Sequence, residues 1–254
     1  MITRPKTHRE IKSIRQSGKI LASILDILVK TVQPGLTTKY LSDIASKELK
    51  ALGGQPSFLG YQGFPDVLCV SINDEVVHGI PSNARKICEG DIVGLDFGVT
   101  YEGMITDAAR SVIAGKAKDK SHIELVNRTE QSLMEGISVV RDSIRTGDIG
   151  NAIQTYLSQY KYGIVRDLVG HGVGHNLHEE PNIPNYGRAH TGPWLRKNMT
   201  IAIEPMVTLG KESVKVAQDG WTILTSDGSL AAHFEHTVLI TDNSSEILTE
   251  YKNS

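Results

Sequence analysis

Four carboxylates sit inside apolar, strand-like segments of this chain: Asp96 in Ile92-Val-Gly-Leu-Asp-Phe-Gly, Asp107 in Met104-Ile-Thr-Asp-Ala-Ala, Glu204 in Thr200-Ile-Ala-Ile-Glu, and Glu235 in Ala231-Ala-His-Phe-Glu-His-Thr-Val. Asp is disfavoured in strand interiors, and an acid without a partner is costly to bury. A single such acid is an ordinary strand end or half of an ion pair, and Arg110 offers that plain alternative for Asp107. Four of them in four apolar runs are hard to explain as solvated surface. A fold that gathers them must also supply positive charge, because carboxylates held close together otherwise protonate or drive the chain apart. Two divalent cations balance four negative charges. A water or hydroxide between ions roughly 3.5 to 4 Å apart is then the natural nucleophile of a two-metal hydrolase.

The histidines come from His171-Gly-Val-Gly-His175-Asn-Leu-His178-Glu-Glu-Pro181. His171 and His175 have the four-residue spacing of helical zinc ligands, but the two glycines between them, and no Glu directly after His171, favour a turn or bulged strand. Spacing does not settle their roles. We assign His171 to metal and His178 to substrate, and read His175 as a satisfied or exposed side chain. His78, before Gly79-Ile-Pro81, would by itself be a core or loop histidine.

The surrounding pattern is α+β. Thr7-His-Arg-Glu10 reads as a capping box ahead of Ile11, Ile14, Leu21, Ile24, Leu25 and Leu28 at helical spacing. Pro34-Gly35 breaks this helix, Thr37 or Thr38 restarts another, and Gly53-Gly54 ends it. A similar pair recurs from Ser121. Its long helix runs through Leu133 and Ile137 to Ile144, Gly147 breaks it, and Asp148 caps a shorter helix through Ile153 and Leu157. The offset from Gly35 to Gly147 is about 112 residues, which suggests an internal duplication with halves near 1–115 and 116–254 of one catalytic domain. Val67–Ile72, Ile92–Val99 and Met104–Val112 are the expected strands of the first half, the last two joined by a turn at Glu102-Gly103. Val165–Val169, Met199–Val207 and Phe234–Thr241 are those of the second, with a loop over 180–195. Helices packed on a mainly antiparallel sheet follow.

Composition removes several classes of function. With 254 residues, 39% hydrophobic and 22% charged, the chain can bury a substantial core. A formal charge of −2 gives no case for a specific nucleic-acid partner. Only Cys69 and Cys88 are present, too few for a disulfide framework or paired-cysteine metal sites. The charged N-terminal stretch lacks the apolar core of a signal peptide and no run of 18 apolar residues occurs, so a cytoplasmic protein without membrane contact is expected.

Taken together, the segments Cys69-Val-Ser-Ile-Asn73, His78-Gly-Ile-Pro81, Asp96-Phe-Gly98, Thr106-Asp107, His171-Gly-Val-Gly174, Glu204-Pro-Met206, Asp219-Gly-Trp221 and Glu235-His-Thr237 resemble the type I methionine aminopeptidases of the pita-bread fold, over nearly the whole chain. The resemblance implies that Asp96 chelates one metal, that His171 and Glu204 hold a second, and that Asp107 and Glu235 bridge them. It further implies Glu204 as general base, His78 and His178 as the groups that orient substrate and stabilise the tetrahedral intermediate, and a methionine pocket of Phe58, Tyr61, Phe64, Cys69, Leu177 and Trp221. A soft, aromatic wall suits a thioether. Two residues depart from the family pattern: Leu177 stands where an aromatic is common, and His175 where Arg is frequent.

By the same resemblance the substrates are N-termini of nascent polypeptides with a small second residue, met near the ribosome. The family's sparing of methionine before bulky residues implies that Met1, ahead of Ile2, is retained, and the absence of coiled-coil or exposed-helix signals makes a monomer the expectation. An oxygen-rich site with one imidazole accepts Mn, Fe, Co or Zn. Two alternatives remain at this point: a proline-specific relative, which usually carries a further N-terminal domain, and a noncatalytic binding protein on the same fold.

Overall fold

A computed structural model describes residues 3–250; Met1 and Ile2, on which the retained-methionine expectation rests, lie outside the described residues. The first helix, α1, spans His8–Thr31. Its predicted capping box is present: Glu10 N donates to Thr7 Oγ1 at 3.3 Å, and Thr7 N donates to Glu10 Oε2 at 2.7 Å. Such a cap stabilises a helix by about 1 kcal/mol. Helix α2, Thr38–Ala51, begins at Thr37, whose hydroxyl accepts from Tyr40 N at 3.2 Å.

The second helix pair departs from expectation at two points. Helix α3 covers Lys120–Ser138, and Ile144 is not in it but in a short strand, Ile144–Arg145, paired with Trp194–Leu195. The helix is capped at Val139, and Ser143, at φ 60°, turns the chain. Val140 and Ile144 stay buried, so the apolar spacing is satisfied by extended chain. Helix α4 is Thr146–Leu157, and Asp148 lies within its first turn. There its carboxylate accepts from Arg145 N at 2.8 Å, the reciprocal half of a capping box.

The first sheet is built on Ile92–Tyr101, which pairs antiparallel with Met104–Ile113 on one edge and with Leu68–Ile72 and Gln55–Pro56 on the other. The turn at Glu102-Gly103 has positive φ at both residues, 48° and 75°, as a tight hairpin requires. The second sheet runs in the order Ser245–Ile247, His236–Ile240, Thr200–Ile203, Gly170–Gly172, Glu179–Ile183. Two corrections fall here. Val165–Val169 is not a strand, since the chain pairs instead at Gly163–Ile164 and Gly170–Gly172. The expected loop over 180–195 overlaps the strand Glu179–Ile183 and holds Trp194–Leu195.

The sheets meet along one line. Ala109 and Glu235 form an antiparallel bridge, Glu235 N donating to Ala109 O at 2.9 Å. Two residues along, Asp107 N donates to Thr237 Oγ1 at 2.9 Å, and that hydroxyl donates to Asp107 O at 2.8 Å. Helices α1 and α2 cover the outer face of the first sheet, where Leu21, Leu25 and Leu41 pack with Leu95 and Phe97. Helices α3 and α4 cover the second through Leu133 and Ile153 against Ile201 and Val238. Among the described residues, no helix is long and apolar enough to cross a membrane.

Candidate metal centre

Strand alternation selects the first two acids. Asp96 lies opposite Ala109 and Asp107 lies opposite Gly98, so the two carboxylates occupy diagonal positions on one face. Leu95, Phe97 and Ala108 point the other way, into the core under α1 and α2. The pairing is continuous, with Arg110 opposite Leu95, so Arg110 stands on the core face and not beside Asp107. Alternation thus removes the plain ion pair that the sequence allowed for Asp107.

Glu204 and Glu235 are placed by a different device. The expected strand Met199–Val207 is interrupted at Glu204-Pro205: Thr200–Ile203 belongs to the second sheet, Met206–Thr208 to a small one with Ala231–His233. Pro205 has no N–H with which to continue the ladder. The expected strand Phe234–Thr241 breaks at the matching level, between Ala231–His233 and His236–Ile240. Two neighbouring strands therefore change sheets together, and an acid sits at each corner. His171 lies in the strand Gly170–Gly172, opposite Ala202, and the register shift beside it matches the bulged strand expected.

These elements converge. Ligand atoms of Asp107, His171 and Glu235 lie within 4.8 Å of one another, and all three residues are buried. His171 Nε2 is 3.5 Å from Glu204 Oε1. Asp96 is buried and interacts directly with Asp107. Three carboxylate oxygens, Asp96 Oδ1, Asp107 Oδ1 and Glu235 Oε1, are buried without a hydrogen-bond partner. Orphaned oxygens of this kind are rare and costly, and divalent cations bound in the site would satisfy them.

With protein groups alone, charge is suppressed throughout the site. Burial pushes the Asp96 carboxyl up to about 7, and burial with mutual repulsion drives Asp107, Glu204 and Glu235 well above the usual range. Burial holds His171 down to about 3, leaving its imidazole neutral and able to ligate. The donor set of four carboxylates and one imidazole suits a hard or borderline divalent ion.

A pocket of about 200 Å³ opens over these groups. Its wall contains every residue expected to face substrate: Phe58, Tyr61, Phe64, Cys69, His78, Leu177, His178 and Trp221. Phe64 packs edge-on against Phe58 at 6.5 Å and against Trp221 at 5.2 Å between centroids. His78 adopts φ 61°, uncommon for a residue with a side chain, and the next amide, Gly79 N, donates to Ser71 Oγ at 3.1 Å. His178 Nδ1 lies 2.8 Å from Tyr61 Oη. His175 pairs through Nε2 with Glu10 Oε1 at 2.7 Å, in keeping with its reading as a satisfied side chain.

Sequence reasoning missed Gln62, which also lines the pocket, Ile80 and Ile105, which pack behind it, and His233, buried 3.7 Å from Glu204 Oε2. Gln62 and the two isoleucines carry no sequence signal. His233 does, because it stands two residues before Glu235 in an apolar run.

The profile of metallopeptidase family M24 matches residues 12–242. The chain belongs to metallopeptidase family M24. Within that family it is similar to a methionine aminopeptidase of Clostridium acetobutylicum, 46% identical over 96% of this chain and 97% of the relative. A crystal structure of methionine aminopeptidase from Thermotoga maritima superposes with a TM-score of 0.96 at 45% identity, covering 98% of this chain and 100% of that one. The prolidase of Pyrococcus furiosus shares the fold, with a TM-score of 0.78 at 21% identity over 98% of this chain and 66% of that one. The M24 chain described here thus has the expected pita-bread α+β fold, and its nearer likenesses are methionine aminopeptidases.

Proposed function

We propose that this chain is a cytoplasmic methionine aminopeptidase that removes the N-terminal methionine of nascent proteins and peptides with a small second residue. In this reading two divalent ions are held by Asp96, Asp107, His171, Glu204 and Glu235. The observation that carries it is the union, in one pocket, of three orphaned buried carboxylate oxygens with an apolar wall of Phe58, Phe64, Cys69, Leu177 and Trp221. Ions bound there supply Lewis acidity toward the scissile carbonyl and make water a nucleophile near neutral pH.

The chain's own groups do the rest. Glu204 is half-buried and faces the pocket, so its carboxylate can take the proton of the attacking water and return it to the leaving amine. Burial lowers His78 to about 4, so it is neutral at pH 7 and offers an N–H to the oxyanion of the tetrahedral intermediate. His178, tied to Tyr61, orients the peptide. The apolar wall buries the methionine side chain, and by resemblance the free substrate amine would bind on the metal side of the site, so that only chain ends react. The preference for a small second residue and action near the ribosome rest on resemblance to type I enzymes, and the monomeric state is the default for a sequence without coiled-coil or exposed-helix signals.

Activity on Met-Ala-Ser and on methionyl peptides with varied second residues, titrated with Mn, Fe, Co and Zn, tests the reading. Preferential cleavage of Xaa-Pro peptides would favour the prolidase-like alternative, and metal-loaded protein inert on every peptide would favour the noncatalytic one. Glu204→Gln is expected to lower kcat by at least about 100-fold, the scale of a lost general base. Full activity in that variant would remove Glu204 from the mechanism.

A further inference from the structure

Glu204 lies between two imidazoles. Its Oε1 is 3.5 Å from His171 Nε2 and its Oε2 is 3.7 Å from His233 Nε2. His171 belongs to the candidate ligand set, whereas His233 has been given no role. The His233 side chain is 4% exposed, and its Nε2 is buried without a hydrogen-bond partner. Its backbone is fixed on both sides by Ser111, whose hydroxyl donates to His233 O at 2.9 Å and accepts from His233 N at 2.9 Å. His233 also lies opposite Met206, two residues past Glu204, so the corner at Pro205 aims the Glu204 carboxylate and this imidazole at one another.

We propose that His233 is a positioning residue for Glu204: its Nε2–H donates to Oε2 and fixes the carboxylate plane, leaving Oε1 on the His171 side of the site. The tautomer follows from the partner, since a bare imidazole lone pair facing a carboxylate oxygen would repel it. The separation closes to hydrogen-bond range, about 2.7 to 3.2 Å, with a side-chain movement of less than about 1 Å. The terminal torsion of a glutamate has a broad minimum, so a carboxylate without such a donor rotates freely and presents either oxygen to a ligand. A group that acts as both metal ligand and proton acceptor needs its two oxygens distinguished. Donors behind ligating groups commonly change metal affinity or activity about 10- to 100-fold.

This inference rests on the proposed role of Glu204, and the test separates the two. Mn²⁺ affinity is measured by calorimetry on chelator-treated wild type and on His233→Gln, His233→Leu and His233→Met, alongside kcat and KM on Met-Ala-Ser. Leu and Met, which have no donor, should weaken Mn²⁺ binding about 10- to 100-fold and lower kcat more than they raise KM. Gln, which keeps an N–H at similar reach, should stay within about threefold of wild type on the scale of one retained hydrogen bond. In a Glu204→Ala background, His233→Leu should cause no further loss of affinity.

Wild-type affinity in the Leu and Met variants would overturn the proposal. So would a Gln variant as damaged as Leu, which would mark His233 as a packing residue or a direct ligand. Loss of fold in both apolar variants would also count against it, because one side-chain hydrogen bond contributes only about 1 kcal/mol. Full activity of Glu204→Gln would sink the general-base reading alone and leave the affinity comparison standing.

Discussion

Gly98 has no side chain, and the ring of Phe58 occupies the space that one would fill. A Cβ built on Gly98 would meet Phe58 Cε1 at 2.6 Å and Cδ1 at 2.9 Å. Because Gly98 lies opposite Asp107, the same position joins the apolar wall of the pocket to its carboxylate floor. Gly98→Ala is therefore expected to push Phe58 into the pocket, raising KM on methionyl peptides several-fold and lowering stability by about 1 to 3 kcal/mol, as overpacking does. Unchanged KM with intact stability would show that the ring has room to move. At this scale much of the site was legible in the sequence: an acid in an apolar run is a conspicuous cost, and Asp96, Asp107, Glu204 and Glu235 all lie where that cost implied. The face of Arg110 became clear only from the register of its strand. His233 was passed over because a lone histidine in a core segment ordinarily needs no function.

At the scale of elements, the loop that carries Leu177 and His178 is held by the chain's own N-terminal segment. Thr3 N donates to Glu180 O at 2.6 Å, and Lys6 N to Asn198 O at 2.7 Å. The Lys6 ammonium, with no solvent exposure, lies 3.3 Å from Glu179 Oε2 and donates to Thr3 Oγ1 at 2.7 Å. The other carboxylate oxygen, Glu179 Oε1, accepts from His175 N at 2.8 Å and Asn176 N at 2.9 Å, folding the turn that presents Leu177 and His178. Gly174 is required there, since at φ 146° a Cβ would lie 2.5 Å from Lys6 Cε. Lys6→Met would leave Glu179 buried without its cation, at a cost of about 3 to 5 kcal/mol, while Lys6→Met with Glu179→Gln should recover most of that loss. Urea unfolding of the single and double variants distinguishes this from a packing defect, which the second change would not repair.

The pair also sets an acid limit. Burial opposes ionisation of Glu179, but hydrogen bonds from Thr3 and the Asn176 amide, with the Lys6 ammonium, outweigh it and hold the carboxyl below its usual value. A depressed carboxyl stabilises the fold above its unfolded pKa, about 4.3, and that contribution is lost as pH falls through the folded value. Stability measured from pH 5 to pH 3 should decline less steeply in Glu179→Gln than in wild type, and equal slopes would refute the assignment. None of this strap was legible beforehand. Its sequence carries the capping box that starts α1, but a buried lysine depends on a partner 173 residues away, and no local pattern encodes that distance.

For the whole molecule, the consequence is that the candidate ligands come from both sheets. Asp96 and Asp107 project from the first, His171 from the second, and Glu204 and Glu235 from the corners that border it. The recurrence of helix pairs suggested two similar halves from the sequence, and helices do cover each sheet. The long strands expected in the second half were misjudged because their apolar runs continue through corners where the chain changes partners. An ion held across the seam ties the sheets together, so it stabilises the whole fold and not a single loop. At 100 times its dissociation constant, such an ion adds about 2.7 kcal/mol. For a protein of this size that corresponds to a rise in Tm of about 5 to 10 °C over the chelator-treated form. Protons compete for the same oxygens, and with protein groups alone Asp96 holds its proton up to about 7. At fixed Mn²⁺ concentration the increment should therefore be larger at pH 8 than at pH 6, and Asp107→Asn should reduce it at both. A shift independent of pH, or one that survives Asp107→Asn in full, would place the ion elsewhere on the protein.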